Sequence, residues 1–291
     1  MITRDDDADQ DLGTKVLFIG GCPRSGTTFL QLLLYSSDLI ETRNETHLFS
    51  QYIGPLLRRY RTMMDKGRSG HRDVGLHLLV DEEELLERTR ATATTLLRRM
   101  CREGQARPYI CEKTPENMLW WREIKRVFPK APIINVVRDP RSVVASTAKA
   151  ARTWASEWAE GSALELAHRW NRYRAEAEEL DASRSGVIIK YERLLARDVP
   201  YLRAKLSRLG IEVEREALRT AFLRTNIERL RSREPSAEWP WALHREPKGF
   251  FREARRDSWT HELTPQDRAA IEHTCAPYMR RFGYLGGDEP G

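Results

Sequence analysis

The chain has 291 residues, enough to bury a sizeable core as one large domain. Its 40% hydrophobic and 32% charged residues describe a soluble globular protein, and the net charge of +6 favours anionic partners without naming one. Four scattered cysteines (Cys22, Cys101, Cys111, Cys275) with no C-x-x-C pair argue against a zinc site or disulfide framework and for a reduced, cytoplasmic setting. The acidic start MITRDDDADQDLG lacks the apolar run of a secretory segment, and no stretch is apolar enough to span a membrane.

Residues 1–13 are expected to form a disordered acidic tail, 14–285 a single domain and 286–291 a flexible end. KVLFIGG (15–21) predicts a buried strand, followed by a helix from Thr27 to Ser36. Helical periodicity covers 82–104, where Gly104 stops it. PYICEK (108–113) predicts a strand, and 116–129 a helix ended by Pro129. APIINVVRD (131–139) is a strand whose Asp139 caps the next helix, with Pro140 in the first turn. GVIIKYE (186–192) is another strand, followed by helical segments to about residue 231. Strands alternating with helices predict an α/β fold: a P-loop-like, three-layer arrangement with a central parallel sheet flanked by helices. The stretch 232–260, rich in Pro, Trp and Arg, is a long loop of the kind that serves function.

Chemistry concentrates first in GGCPRSGTTFL (20–30). Gly21 and Gly26 keep the G-x-x-x-x-G spacing of a phosphate-binding loop, but Thr27-Thr28 stand where a triphosphate loop has Lys-Ser or Lys-Thr. Strand, tight turn and helix start together offer backbone N–H groups to an anion. Arg24, Ser25, Thr27 and Thr28 add side-chain donors, while Cys22 is a small filler rather than a nucleophile. In NVVRDPRSVVAS (135–146), Arg138 ends a strand and Ser146 lies two turns into the next helix, so the two can share one phosphate. Two such elements predict a ligand with two separated phosphates.

PRSGTTFL resembles the 5′-phosphosulfate loop of sulfotransferases that use 3′-phosphoadenosine 5′-phosphosulfate (PAPS), and VVRDPRSVVAS is similar to their 3′-phosphate motif. KYERLL (190–195) and GFFREARRDSW (249–259) resemble two further segments of that family, in the expected order. The resemblance implies that Arg24 contacts the 5′-phosphate and the bridging oxygen, with Ser25, Gly26, Thr27, Thr28 and Phe29 completing the cradle. It gives Arg138 and Ser146 to the 3′-phosphate and places Tyr191, Phe222 and Thr220 near the adenine. Phe250, Phe251 and Arg252 would close over the nucleotide, although Glu253-Ala254 replace the family's Lys-Gly.

Sulfuryl transfer also needs a proton acceptor and cations at the leaving phosphate. RNETHLFSQY (43–52) resembles the carbohydrate enzymes' K-E-x-H-F-F segment, whose glutamate is the base, and superficially the cytosolic enzymes' T-H-L-P segment, whose histidine is; Glu45 is the preferred base and His47 the alternative. CEKTPEN (111–117) resembles their E-K-S-P segment, which brings Lys113 to the transferred sulfonate, and Asn44 stands where a lysine is common. The expected protein is a metal-free sulfotransferase that releases adenosine 3′,5′-bisphosphate (PAP). Its acceptor would be a hydroxyl, or less readily an amine, of a small-molecule, lipid or carbohydrate compound. The rival readings are a P-loop small-molecule kinase and a non-catalytic nucleotide-binding protein. Nucleic acid is not an expected partner, and oligomeric state is not legible. Acceptor-determining loops are expected around 50–80, 150–165 and 232–248.

Overall fold

The computed structural model describes residues 15–69, 74–101, 107–225 and 258–286. The tails at 1–13 and 286–291 lie outside these residues except for Gly286, as do Phe250, Phe251, Arg252, the Glu253-Ala254 departure and the loop 232–248.

Five parallel strands make the sheet: β1 (Val16–Gly20), β2 (Ile40–Thr42), β3 (Tyr109–Lys113), β4 (Ile133–Val137) and β5 (Gly186–Lys190). Their order is β2-β3-β1-β4-β5, with β1 at the centre, Ile19 beside Lys113 on one flank and beside Ile134 on the other. β1 is continuously apolar, and β4 and β5 nearly so, because both faces of the sheet are covered. Alternation along β1 sends Val16 and Phe18 into one core and Leu17 and Ile19 into the other.

The second core is closed by α1 (Thr27–Ser36), which follows β1 directly, and by helices after β5: α8 (Tyr191–Leu195), α9 (Val199–Ser207) and α10 (Arg215–Arg224). The first core lies under α2 (Gly54–Arg68), α3 (Glu82–Arg98), α4 (Trp121–Val127), α5 (Pro140–Ala151), α7 (Ala163–Ala182) and α11 (Pro265–Arg281), with a single turn, α6 (Ser156–Ala159), between α5 and α7. Asp139 caps α5 by accepting from Arg141 N at 2.9 Å, as its position before Pro140 predicts.

Several expectations need correction. The stretch 50–80 is not a loop: it holds a π-helical turn (Leu48–Ile53), all of α2 and a short 3₁₀ turn. Its polar face hid the helix, since only Gly54, Leu57 and Tyr60 of α2 are buried. Helix α3 ends at Arg98, before Gly104. The helix expected over 116–129 splits into a 3₁₀ turn (Pro115–Trp120) and α4. Trp158 is 41% exposed, whereas Trp170 is fully buried.

Candidate active site

The ends of β1, β3 and β4 sit side by side, and each delivers part of one site. After β1 the chain turns sharply: Gly21 has φ 150°, Arg24 φ 70° and Gly26 φ 97°. A Cβ at Gly26 would stand 2.3 Å from the Tyr191 ring, so glycine is required both by conformation and by space. Tyr191 also meets Phe29 edge-on at 6.0 Å, and Phe222 lies in the same core cluster, 3% exposed. Thr220 is half-buried on α10 and joins none of the site's hydrogen bonds among the described residues.

Arg24 gathers the two phosphate-binding elements around itself. Its Nε donates to Ser146 Oγ at 3.1 Å, and its carbonyl accepts from Arg138 Nη1 at 3.3 Å. Arg138 stacks over Tyr191 at 4.8 Å, and its own carbonyl is held by Trp170 Nε1 at 3.0 Å. The Ser25 hydroxyl is buried with no hydrogen-bond partner among the described residues, an orphan donor inside a cradle of backbone N–H groups. These features fit an anionic nucleotide with one phosphate on the α1 N-terminus and a second between Arg138 and Ser146. Cys22 is buried in the turn, and burial pushes its thiol up to about 12, so it serves as filler and not as nucleophile.

Lys113 links this cradle to the candidate base. It ends β3, is 3% exposed, and donates to Thr28 Oγ1 at 3.1 Å and to Glu45 Oε1 at 2.5 Å. Glu45 reaches His47 Nε2 through its other oxygen at 3.7 Å. The imidazole Nδ1 lies 3.2 Å from Ser50 Oγ and 3.8 Å from Glu116. Burial pushes the Glu116 carboxyl above the ordinary carboxylate value, against the lowering pull of its own backbone N–H and of His47. Glu45, His47 and Lys113 thus form one cluster beside the loop, with the side chains of both Glu45 and His47 about one-third exposed.

Two contributors were not singled out from the sequence. Glu112 is fully buried and accepts from Thr46 Oγ1 at 2.8 Å, Thr114 Oγ1 at 2.7 Å and Asn117 Nδ2 at 2.5 Å. It thereby fastens the Glu45 loop to the strand that carries Lys113. A carboxylate inside a strand covered on both faces was the available signal. Glu116 had no such signal. Trp154 also reaches the site, its ring 5.4 Å from the Arg24 guanidinium. Among the described residues, no group of three or more His, Cys, Asp or Glu is gathered to hold a metal.

A parallel α/β sheet with a phosphate cradle at the carboxyl end of its central strand and a Lys–Glu pair beside it defines a group-transfer site that uses an anionic nucleotide. The profile described as "Sulfotransferase family" matches residues 17–215, and the chain belongs to that family. It is 27% identical to protein-tyrosine sulfotransferase 1 of Danio rerio over 198 residues, 67% of this chain and 53% of that protein. Identity to the human protein-tyrosine sulfotransferase 1 is 30% over 131 residues, 45% of this chain and 33% of the relative. The chain therefore spans between a third and about half of these relatives' length. Mouse sulfotransferase SULT7A1, solved in complex with PAP, shares the fold with a TM-score of 0.56 at 16% identity, covering 96% of this chain and 91% of its own. The sulfotransferase domain of the Synechococcus PCC 7002 olefin synthase gives 0.54 at 17%, covering 90% and 94%.

Proposed function

We propose that the chain transfers a sulfuryl group from PAPS to a hydroxyl, with Glu45 as the base. The observation that carries this reading is Lys113, whose ammonium bonds both Thr28 of the nucleotide loop and Glu45. It brings the nucleotide cradle and a proton acceptor within one side chain of each other. PAPS, when bound, supplies an activated S–O bond to its 5′-phosphate, and cleavage of that bond releases PAP.

The chain's own residues do the rest. Arg24, Ser25, Thr27, Thr28 and the backbone N–H groups from Gly26 to Phe29 hold the 5′-phosphate; Arg138 and Ser146 hold the 3′-phosphate. Tyr191, Phe222 and Thr220 border the adenine, and Phe250, Phe251 and Arg252 close over it. Glu45 takes the acceptor's proton as the new O–S bond forms. Arg24 and Lys113 neutralise the electron pair that returns to the bridging oxygen, the task that Mg²⁺ performs for kinases. His47, between Glu45 and Glu116, orients the carboxylate and is the alternative base. Thr27 in place of the P-loop lysine speaks against the kinase reading, and the intact Glu45–Lys113 pair against a non-catalytic one.

The acceptor is a hydroxyl of a small-molecule, lipid or carbohydrate compound, and the relatives' names add a protein tyrosine to that set. Four unpaired cysteines support a cytoplasmic location for the 14–285 domain. Calorimetric titration with PAP, and separately with ATP plus Mg²⁺, tests the reading. Metal-independent PAP binding that weakens at least a hundredfold in Arg138→Ala is expected. In Glu45→Gln, PAP affinity should hold while kcat falls by about 10²–10⁴. Preference for ATP with Mg²⁺ returns the chain to the kinases.

A further inference from the structure

Beside the loop that carries Glu45 lies a cavity of about 640 Å³, within the range of pockets that enclose drug-sized ligands. Leu48, Tyr52 and Leu56 form one wall, and Thr92, Leu96 and Met100 the other. Tyr52, Leu56 and Leu96 are 65%, 42% and 47% exposed, an unusual concentration of uncovered apolar surface. A smaller cavity of about 290 Å³ shares Leu56 and continues along α2 towards Val74 and Leu76.

Two contacts tie this cavity to the reaction centre. Thr46, the residue after Glu45, is part of its wall, and Arg43, two residues before Glu45, donates from Nε to Met100 O at 3.0 Å. The candidate base is therefore bracketed by residues anchored in the cavity. The lining is mainly apolar, with Tyr52, Thr89 and Arg99 as polar members beside Thr46, Thr92 and Arg88. Thr46 donates its hydroxyl to Glu112 and Thr92 donates to Arg88 O at 3.0 Å, while Arg88 is held by Glu84. A mainly apolar surface of this kind favours a carbon chain over a run of sugar hydroxyls.

Resting on the sulfotransferase reading, we propose that this cavity holds the apolar body of the acceptor, a long-chain aliphatic alcohol whose hydroxyl lies at Glu45. Burial of each methylene then tightens the complex about threefold to fourfold.

The test uses the full chain and primary alkanols from butan-1-ol to dodecan-1-ol, read in two ways. Binding to the PAP-loaded protein is followed by displacement of a fluorescent anilinonaphthalene sulfonate probe; turnover is followed by PAP release from PAPS. Alkanol Kd and KM should both fall about threefold per carbon until the cavity is full. Thr92→Trp, which fills the cavity from an exposed helix position, should raise decan-1-ol KM at least tenfold while PAP affinity stays within twofold. Leu96→Asp, also on the exposed face, should do the same by polarity. A Kd that ignores chain length, or one that both variants leave unchanged, overturns the proposal. So does turnover of a tyrosine peptide with alkanols ignored, which spares the sulfotransferase reading. A dimer that Leu96→Asp dissociates gives this face to a second copy and overturns it as well. PAPS left intact with every alkanol and with the tyrosine peptide overturns the sulfotransferase reading and the acceptor assignment together, even where alkanols bind.

Discussion

Glu112 is the residue on which the arrangement of the site depends, although it touches no ligand position. Its carboxylate, closed to solvent, accepts from Thr46, Thr114 and Asn117, so its charge is compensated by donors and not by a cation. Because Thr46 follows Glu45 and Thr114 follows Lys113, these bonds set the distance between the base and its lysine. In Glu112→Gln one oxygen becomes an amide N–H that faces donors, and at least one bond is lost. Hydrogen bonds to a charged group are worth about 1.5–3 kcal/mol each, so the variant should lose about 2 kcal/mol of stability. The same loosening should lower kcat about tenfold while PAP affinity stays within threefold, because Arg24, Arg138 and Ser146 are untouched. Denaturant melts and paired kinetic and PAP titrations read the two effects separately. An unchanged kcat at the lowered stability would reduce Glu112 to a purely structural role.

At the scale of elements, the strand–turn–helix from β1 through Gly26 to α1 forms the cradle proposed for the nucleotide. Gly26 turns left-handed at φ 97° with the Tyr191 ring against its Cα, so a side chain there faces both strain and collision. Strain alone costs about 1–2 kcal/mol for a non-glycine residue in this region. Gly26→Ala should therefore displace Tyr191 or the turn and weaken PAP binding more than tenfold, with a Tm loss of several degrees; an unchanged calorimetric Kd would refute this. This element was legible in the sequence because its chemistry is local: glycine spacing, an apolar strand before it and hydroxyls at the helix start all fall within a dozen residues. The strand ends at Lys113 and Arg138 were legible for the same reason. The region after Glu45 was not. Helix α2 is polar on most of its surface, β2 is only three residues long, and the cavity between α2 and α3 arises from residues some forty positions apart. Long-range contacts of that kind leave no periodic trace, so the acceptor side stays hidden in the sequence while the nucleotide side is plain in it.

Across the molecule, a conspicuously unsatisfied group among the described residues is Arg174 on α7, where the first core packs α7 against α11. It is 2% exposed, and its three guanidinium nitrogens reach no hydrogen-bond acceptor among the described residues. Burial lowers its pKa from the ordinary arginine value to about 10, against the raising pull of Tyr284, Glu178 and Tyr278, and the rings of Trp170 and Phe282 lie at 5.9 and 4.3 Å. A depression of that size corresponds to roughly 3 kcal/mol of penalty on the charged form. Two cation–π contacts return about 2 kcal/mol at most. Arg174→Met keeps the aliphatic bulk, removes the buried charge and should raise stability by about 1 kcal/mol, or roughly 2–4 °C in Tm for a chain of this size. The pH dependence follows from the direction of the shift. Below about pH 10 the arginine is charged in both folded and unfolded chains and the penalty is complete. Above about 10, and below the ordinary arginine value, the folded protein releases its proton first, the unfolded chain binds more protons, and wild-type stability rises with pH. The advantage of the methionine variant should thus be constant from pH 6 to 9 and shrink above about 10. Thermal melts of both proteins across that range decide the matter, and a destabilised Arg174→Met at neutral pH would mean that the guanidinium is held by a partner stronger than its two aromatic neighbours.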